Sequence, residues 1–259
     1  MMILGDSWGQ LMCGFQTFDD VLKEYGYSNK AECLATTKSG SWAKDWAKPG
    51  ALNIAKTLLI NNAEIKAVFL SAGGNDLLGS WKKSYSAEET EKIFTDVAAN
   101  LRIIIKELTQ VRPDIQIVVA GYDYPNFDLL PPGNVLSAYR KLYEEMEKPS
   151  VRELNSMVVK FSYKMNELEK EFDNVYFAPT LGINQHLLGI PAMNIKAGEL
   201  PAPNLERVIG GNPEYAQPRE ALLDIQNTNL VDPYHLGKSG FKRYARQIMD
   251  SQLNRILQN

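Results

Sequence analysis

The sequence predicts an α/β protein: a parallel sheet with helices over both faces. Short apolar runs of strand length alternate with long amphipathic stretches along the 259 residues, the pattern of strands buried between two helical layers. A composition of 44% hydrophobic and 23% charged residues is enough to fill one large core, so 1–259 is read as a single domain.

Strands are expected at 2–4, 31–35, 67–71, 115–120 and 175–178, and helices at 15–25, 50–61, 87–111, 151–172 and 239–257. Two helix starts are signed most clearly. Ser86 precedes Glu89 and Ser150 precedes Glu153, the Ser-x-x-Glu spacing in which each side chain satisfies an orphan amide of the first turn. In the helix at 87–111, Ile93, Val97, Leu101, Ile104, Ile105 and Leu108 share one face, which is a core stripe. Two proline-rich stretches fit neither period, 122–149 and 179–231. Both leave the carboxyl ends of strands, where open parallel sheets bind ligands, so they are expected to rim the site.

A net charge of -3 and a pI near 5.6 offer no attraction for a phosphate backbone, and nucleic acid is not an expected partner. No apolar stretch approaches the length of a transmembrane helix. The chain reads as soluble, cytoplasmic as written and periplasmic or secreted if a leader precedes it; its oligomeric state is not legible. Two cysteines, Cys13 and Cys33, and two distant histidines, His186 and His235, match none of the usual zinc spacings, so no metal is expected. One cysteine pair in a chain this long is weak evidence for a disulfide, and two ordinary thiols are the expectation. Gly237-Lys238-Ser239 ends like a phosphate-binding loop, but Asp232 stands where that loop needs glycine.

With two histidines, any imidazole chemistry passes through one of them. Asp232-Pro233-Tyr234-His235 puts a carboxylate three positions before His235, whereas His186 has none close by. A serine hydroxyl needs a base to take its proton, and the base needs a carboxylate to fix its tautomer. Gly5-Asp6-Ser7 follows the first strand, which places Ser7 at the mouth of the crevice. Ser71-Ala72-Gly73-Gly74-Asn75-Asp76 ends the third strand run with a side-chain amide, and Thr37-Lys38-Ser39-Gly40-Ser41 follows the second with a bare backbone amide. Both are suited to an oxygen that becomes negative during acyl transfer. Asp6 and Asp76 are expected to hold their turns by side-chain to backbone bonds.

These four blocks, in this order and spanning both ends of the chain, resemble the SGNH hydrolase superfamily of GDSL-type esterases and lipases. The resemblance implies Ser7 as nucleophile, His235 as base and Asp232 as its orienter, with an oxyanion hole from the Ser7 and Gly40 amides and the Asn75 side chain. It also implies a three-layer flavodoxin-like fold, a five-stranded sheet in the order 2-1-3-4-5, and no cofactor.

The expected activity is hydrolysis of carboxylic esters through an acyl-enzyme. Trp8, Trp81, Tyr122, Tyr124 and Tyr234 are aromatic candidates for a rim that takes short acyl groups on a sugar, with Trp8, Tyr122 and Tyr234 as the substrate-binding set; plain packing is the alternative for each. The expected partner is a small-molecule ester, an acylated carbohydrate or a lipid. A lysophospholipase or thioesterase on the same triad is the second reading. A non-catalytic module that binds a glycan or small ligand is the third.

Overall fold

The structure, a computed structural model, describes residues 1–28, 30–133, 135–189 and 200–258. Four strands form a parallel sheet: β1 (Met2–Gly5), β2 (Ala67–Ser71), β3 (Gln116–Ala120) and β4 (Val175–Ala178), in that order across the sheet. Every residue of β1 and β2 is buried, as in a sheet covered on both faces. On one side α4 (Asn53–Asn61), α6 (Ala87–Val111) and α8 (Val151–Glu169) pack together; on the other are α1 (Ser7–Gly14), α2 (Thr17–Glu24) and α10 (Lys238–Ile248). Both predicted capping boxes form, at Ser86 with Glu89 and at Ser150 with Glu153.

The expected five-stranded sheet of order 2-1-3-4-5 is not formed. Residues 31–35, read as a strand, make an irregular edge beside β1, joined to it by isolated parallel bridges at Met2 with Glu32 and Gly5 with Thr37. The cause is local. Ala35 adopts a left-handed φ of 54°, which turns the chain out of an extended ladder between the two bridges. Cys33, in the same segment, is disulfide-bonded to Cys13 at the end of α1, with Cα atoms 6.2 Å apart. The expectation of two free thiols is therefore also corrected.

Helices differ from expectation mainly at irregular joints. The helix read at 15–25 is α2, which starts after Gln16 takes a left-handed φ of 55°, and α1 before it lies where no helix was read. The last helix runs from α10 through a π turn (Met249–Leu253) into α11 (Asn254–Gln258). Short helices appear where loops were read: α3 (Ala43–Trp46), α5 (Gly74–Ser80), α7 (Ser137–Glu145) and α9 (Ile183–Leu187). The insert at 179–231 also ends in structure, because β5 (Leu222–Asp224) pairs antiparallel with β6 (Val231–Leu236). Part of that insert, with Pro191, lies outside the described residues.

Candidate active site

The carboxyl ends of β1 and β2 are in register, Gly5 beside Ser71, so the loops leaving them start side by side. Gly5 has a φ of 152°, and a Cβ there would stand 1.8 Å from the Ser71 carbonyl oxygen. Only glycine fits that approach. The chain then turns at Asp6, whose Oδ1 accepts the Trp8 amide at 3.0 Å and caps α1, so that Ser7 becomes the first residue of the helix. Gly5 to Gly9 also spell Gly-x-Ser-x-Gly, the spacing of a sharp nucleophile turn between strand and helix.

His235 reaches this point from the far end of the chain. Its Nε2 lies 2.7 Å from Ser7 Oγ, and its Nδ1 lies 2.8 Å from Asp232 Oδ2. A carboxylate only accepts hydrogen bonds, so Nδ1 carries the proton and Nε2 is left as an acceptor facing the serine hydroxyl. Asp232 and His235 lie on β6, where the sequence suggested a loop. Successive side chains of a regular strand point to opposite faces, which would separate positions three apart. Here Asp232 Oδ1 accepts both the Tyr234 and His235 amides at 2.9 Å, which folds the strand back over its own carboxylate.

Asp232 is mostly buried, which pushes its carboxyl up, but the hydrogen bond and charge of His235 and a hydrogen bond from Tyr139 outweigh that and leave it below its ordinary value. The Tyr139 hydroxyl donates to Asp232 Oδ2 and lies 2.9 Å from His235 Nδ1. Tyr139 comes from α7, inside the proline-rich stretch at 122–149, and no motif marked it.

Asn75 is the second residue of α5, and its Nδ2 donates to the Ser41 carbonyl at 2.9 Å. An amide nitrogen carries two hydrogens, so one remains to be given. Gly74 must be small for this helix start to sit where it does, since a Cβ there would meet Tyr234 Oη at 2.2 Å. Gly40 differs: its Cβ would meet nothing within 4 Å, and glycine is suited there by the φ of 71°. Because Ser41 follows Gly40, the Asn75 bond ties the two loops together. Asp76 is buried and accepts the Ala43 amide at 2.7 Å, linking α5 to α3 as a turn-holding carboxylate.

The aromatic rim is a correction. Trp8, Tyr122 and Tyr234, read as substrate-binding, are buried, as are Trp81 and Tyr124. Trp8 packs edge-on against Tyr122 with ring centroids 5.0 Å apart, and Tyr122 stacks on Tyr234 at 6.0 Å. They form the wall behind Ser7 and His235. Tyr122 also donates to Asp6 Oδ2. Burial pushes the Asp6 carboxyl up to about 6, against the opposing pull of Tyr122, the Trp8 amide and His235. His186 lies exposed on α9, away from these contacts.

Among the described residues no group of three or more His, Cys, Asp or Glu is placed to hold a metal ion, and no helix is long and apolar enough to cross a membrane.

No sequence-family model matches the chain, and no curated protein does. Solved structures do. A lipase from a goat rumen metagenome aligns at a TM-score of 0.56 and 13% identity, over 98% of each chain. A carbohydrate esterase of family 3 from Talaromyces cellulolyticus aligns at 0.56 and 12%, over 99% of this chain and 97% of that one. A member of the lipolytic G-D-S-L family from Veillonella parvula aligns at 0.50 and 10%, over 96% and 95%. At these identities the likeness speaks for the backbone alone. The chain has the fold of the SGNH and GDSL lipases and esterases.

Proposed function

We propose that the protein is a serine esterase that hydrolyses carboxylic esters. The observation that carries this is the unbroken line of contacts from Ser7 Oγ to His235 Nε2 at 2.7 Å and from His235 Nδ1 to Asp232 Oδ2 at 2.8 Å. Fold-level likeness to lipases and esterases agrees with it.

In this reading His235 Nε2 takes the Ser7 proton as Oγ attacks the ester carbonyl. The carbonyl oxygen becomes negative and is met by the Ser7 and Gly40 amides and the second hydrogen of Asn75 Nδ2. His235, now an imidazolium held by Asp232, gives its proton to the leaving alkoxide, and the alcohol departs. Water then attacks the acyl-enzyme: His235 takes a proton from it, and as the tetrahedral intermediate collapses to the acid, Ser7 Oγ leaves and takes that proton back from His235. The products are the carboxylic acid and the alcohol.

The substrate we favour carries a short acyl group, acetyl above all, on a sugar or small alcohol. Ser7 is only 6% exposed, and α7 lies close enough for Tyr139 to touch Asp232, which supports a narrow approach to the nucleophile. On this view the inserts at 122–149 and 179–231 rim the site of one domain. The Cys13 to Cys33 disulfide supports an oxidising compartment, periplasmic or extracellular.

The test is a fluorophosphonate probe with p-nitrophenyl esters of increasing chain length. Labelling confined to Ser7 and fastest turnover of the acetyl ester are expected. Preference for long chains would favour the lysophospholipase reading, and no labelling of the folded protein would leave a non-catalytic binding module.

A further inference from the structure

We propose that Tyr139 is a positioning residue of the triad: its hydroxyl shares the His235 Nδ1 proton with Asp232 and so helps hold the imidazole with Nε2 bare toward Ser7. This rests on the proposed esterase reading.

Asp232 accepts four hydrogen bonds. Oδ1 takes the Tyr234 and His235 amides, and Oδ2 takes the imidazole Nδ1–H and the Tyr139 hydroxyl. A carboxylate has about four lone-pair sites, so this one is saturated. The Tyr139 hydroxyl has one proton, and Asp232 receives it. Toward His235 Nδ1, 2.9 Å away, the same oxygen therefore has only lone pairs to offer. The Nδ1–H consequently faces two acceptors, Oδ2 at 2.8 Å and Tyr139 Oη at 2.9 Å, in a closed ring of three groups. Either acceptor selects the tautomer that leaves Nε2 free.

The origin of Tyr139 makes this more than local packing. No residue of α7 is fully buried; its Tyr139, Leu142 and Tyr143 pack half-buried against the main core. From there the tyrosine reaches across 93 positions to Asp232 and lies at a steep angle to the imidazole, ring centroids 6.3 Å apart. The insert thus brings a functional group to the triad. The other titratable groups facing the pair are Tyr234 on the same strand, Asp6 before Ser7, and Tyr122 bonded to Asp6. None of these replaces the Tyr139 hydroxyl at Nδ1.

The experiment uses the full chain labelled with nitrogen-15 histidine; with only His186 and His235 present, each imidazole is readily assigned. Tyr139→Phe removes the hydroxyl and keeps the ring. Freed from a shared arrangement, the Nδ1 proton should form one straighter bond to Asp232, and its low-field resonance should move further downfield. The kcat for p-nitrophenyl acetate should fall about three- to tenfold with KM little changed.

In an Asp232→Ala background the tyrosine is the remaining acceptor. There, Asp232→Ala should keep the Nδ1–H tautomer, and adding Tyr139→Phe should lose it. An unmoved proton resonance in Tyr139→Phe would overturn the proposal, and so would identical tautomer populations in the Asp232→Ala and double variants. These spectra need no turnover, so they judge Tyr139 even if Ser7 proves unreactive toward fluorophosphonate, the result that would sink the esterase reading.

Discussion

His235 Nε2 stands 2.7 Å from Ser7 Oγ although 228 positions separate the two residues. The contact closes the chain on itself: Ser7 opens the first helix, and His235 is the next-to-last residue of the strand that leads into α10. Groups that work as one unit are lost as one unit. Ser7→Ala and His235→Ala should each lower kcat by about 10⁴-fold or more, and the double variant should be no slower than either single one. Steady-state kinetics on p-nitrophenyl acetate checks this. Losses that multiply in the double variant would mean that the two side chains act separately.

Asn75 and Gly40 predict unequal losses of activity for similar losses of stability. On the esterase reading, Asn75→Ala removes a donor for the developing charge and should lower kcat about 10²- to 10³-fold. Losing its bond to the Ser41 carbonyl should cost only about 1 kcal/mol of stability. Gly40→Ala meets open space but forces a φ of 71° on alanine, at a cost of about 1 kcal/mol, while the backbone amide remains. Kinetics beside urea unfolding separates the two. A catalytic loss at Gly40→Ala as large as that at Asn75→Ala would mean that the turn, not the donor, is what matters.

The parts of this site that were legible in sequence are those encoded locally. Met2–Gly5 and Ala67–Ser71 are continuous apolar runs, Ser86 and Ser150 cap their helices from three residues away, and Asp232 sits within reach of His235 along one short segment. What escaped depends on competition between local signals or on distant contacts. The edge at 31–35 has strand composition, but the left-handed turn at Ala35 prevails. Pro233 argues against a strand, yet β6 tolerates it in a two-stranded pair. Trp8, Tyr122 and Tyr234 have the composition of a sugar platform and the burial of a core, and composition does not distinguish the two. Tyr139 was invisible because no spacing rule connects it to a residue 93 positions away.

The Cys13 to Cys33 bond joins the end of α1 to the edge segment over a sequence separation of 20. Closing a loop of this size restricts the unfolded chain by about 3 kcal/mol. Cys13→Ser with Cys33→Ser should therefore lower Tm by about 6–12 °C for a chain of this size. Activity at 25 °C should stay near that of the parent, because the segment keeps its backbone bonds to β1: Ile3 to Glu32, Glu32 to Met1, Gly5 to Thr36 and Lys38 to Gly5. Scanning calorimetry with and without reductant checks the shift. An unchanged melting point would show that the crosslink contributes no stability.

Asp6 should make stability depend on pH in a specific direction. Its carboxyl titrates near 3.8 when exposed and is pushed up to about 6 in the fold, chiefly by burial. The folded state therefore binds the proton more tightly than the unfolded state, and stability from this group is full below pH 4 and lost as pH rises through 6. Asp6→Asn does not titrate. Its oxygen can still accept the Trp8 amide, and the Tyr122 hydroxyl can turn to accept from the new amide. Relative to the parent, Asp6→Asn should gain about 3 kcal/mol between pH 4 and pH 7. Urea unfolding of both proteins across that window reads the gap directly. A gap that stays constant with pH would mean that Asp6 titrates alike in the folded and unfolded states, and that burial beside Ser7 costs its charge nothing.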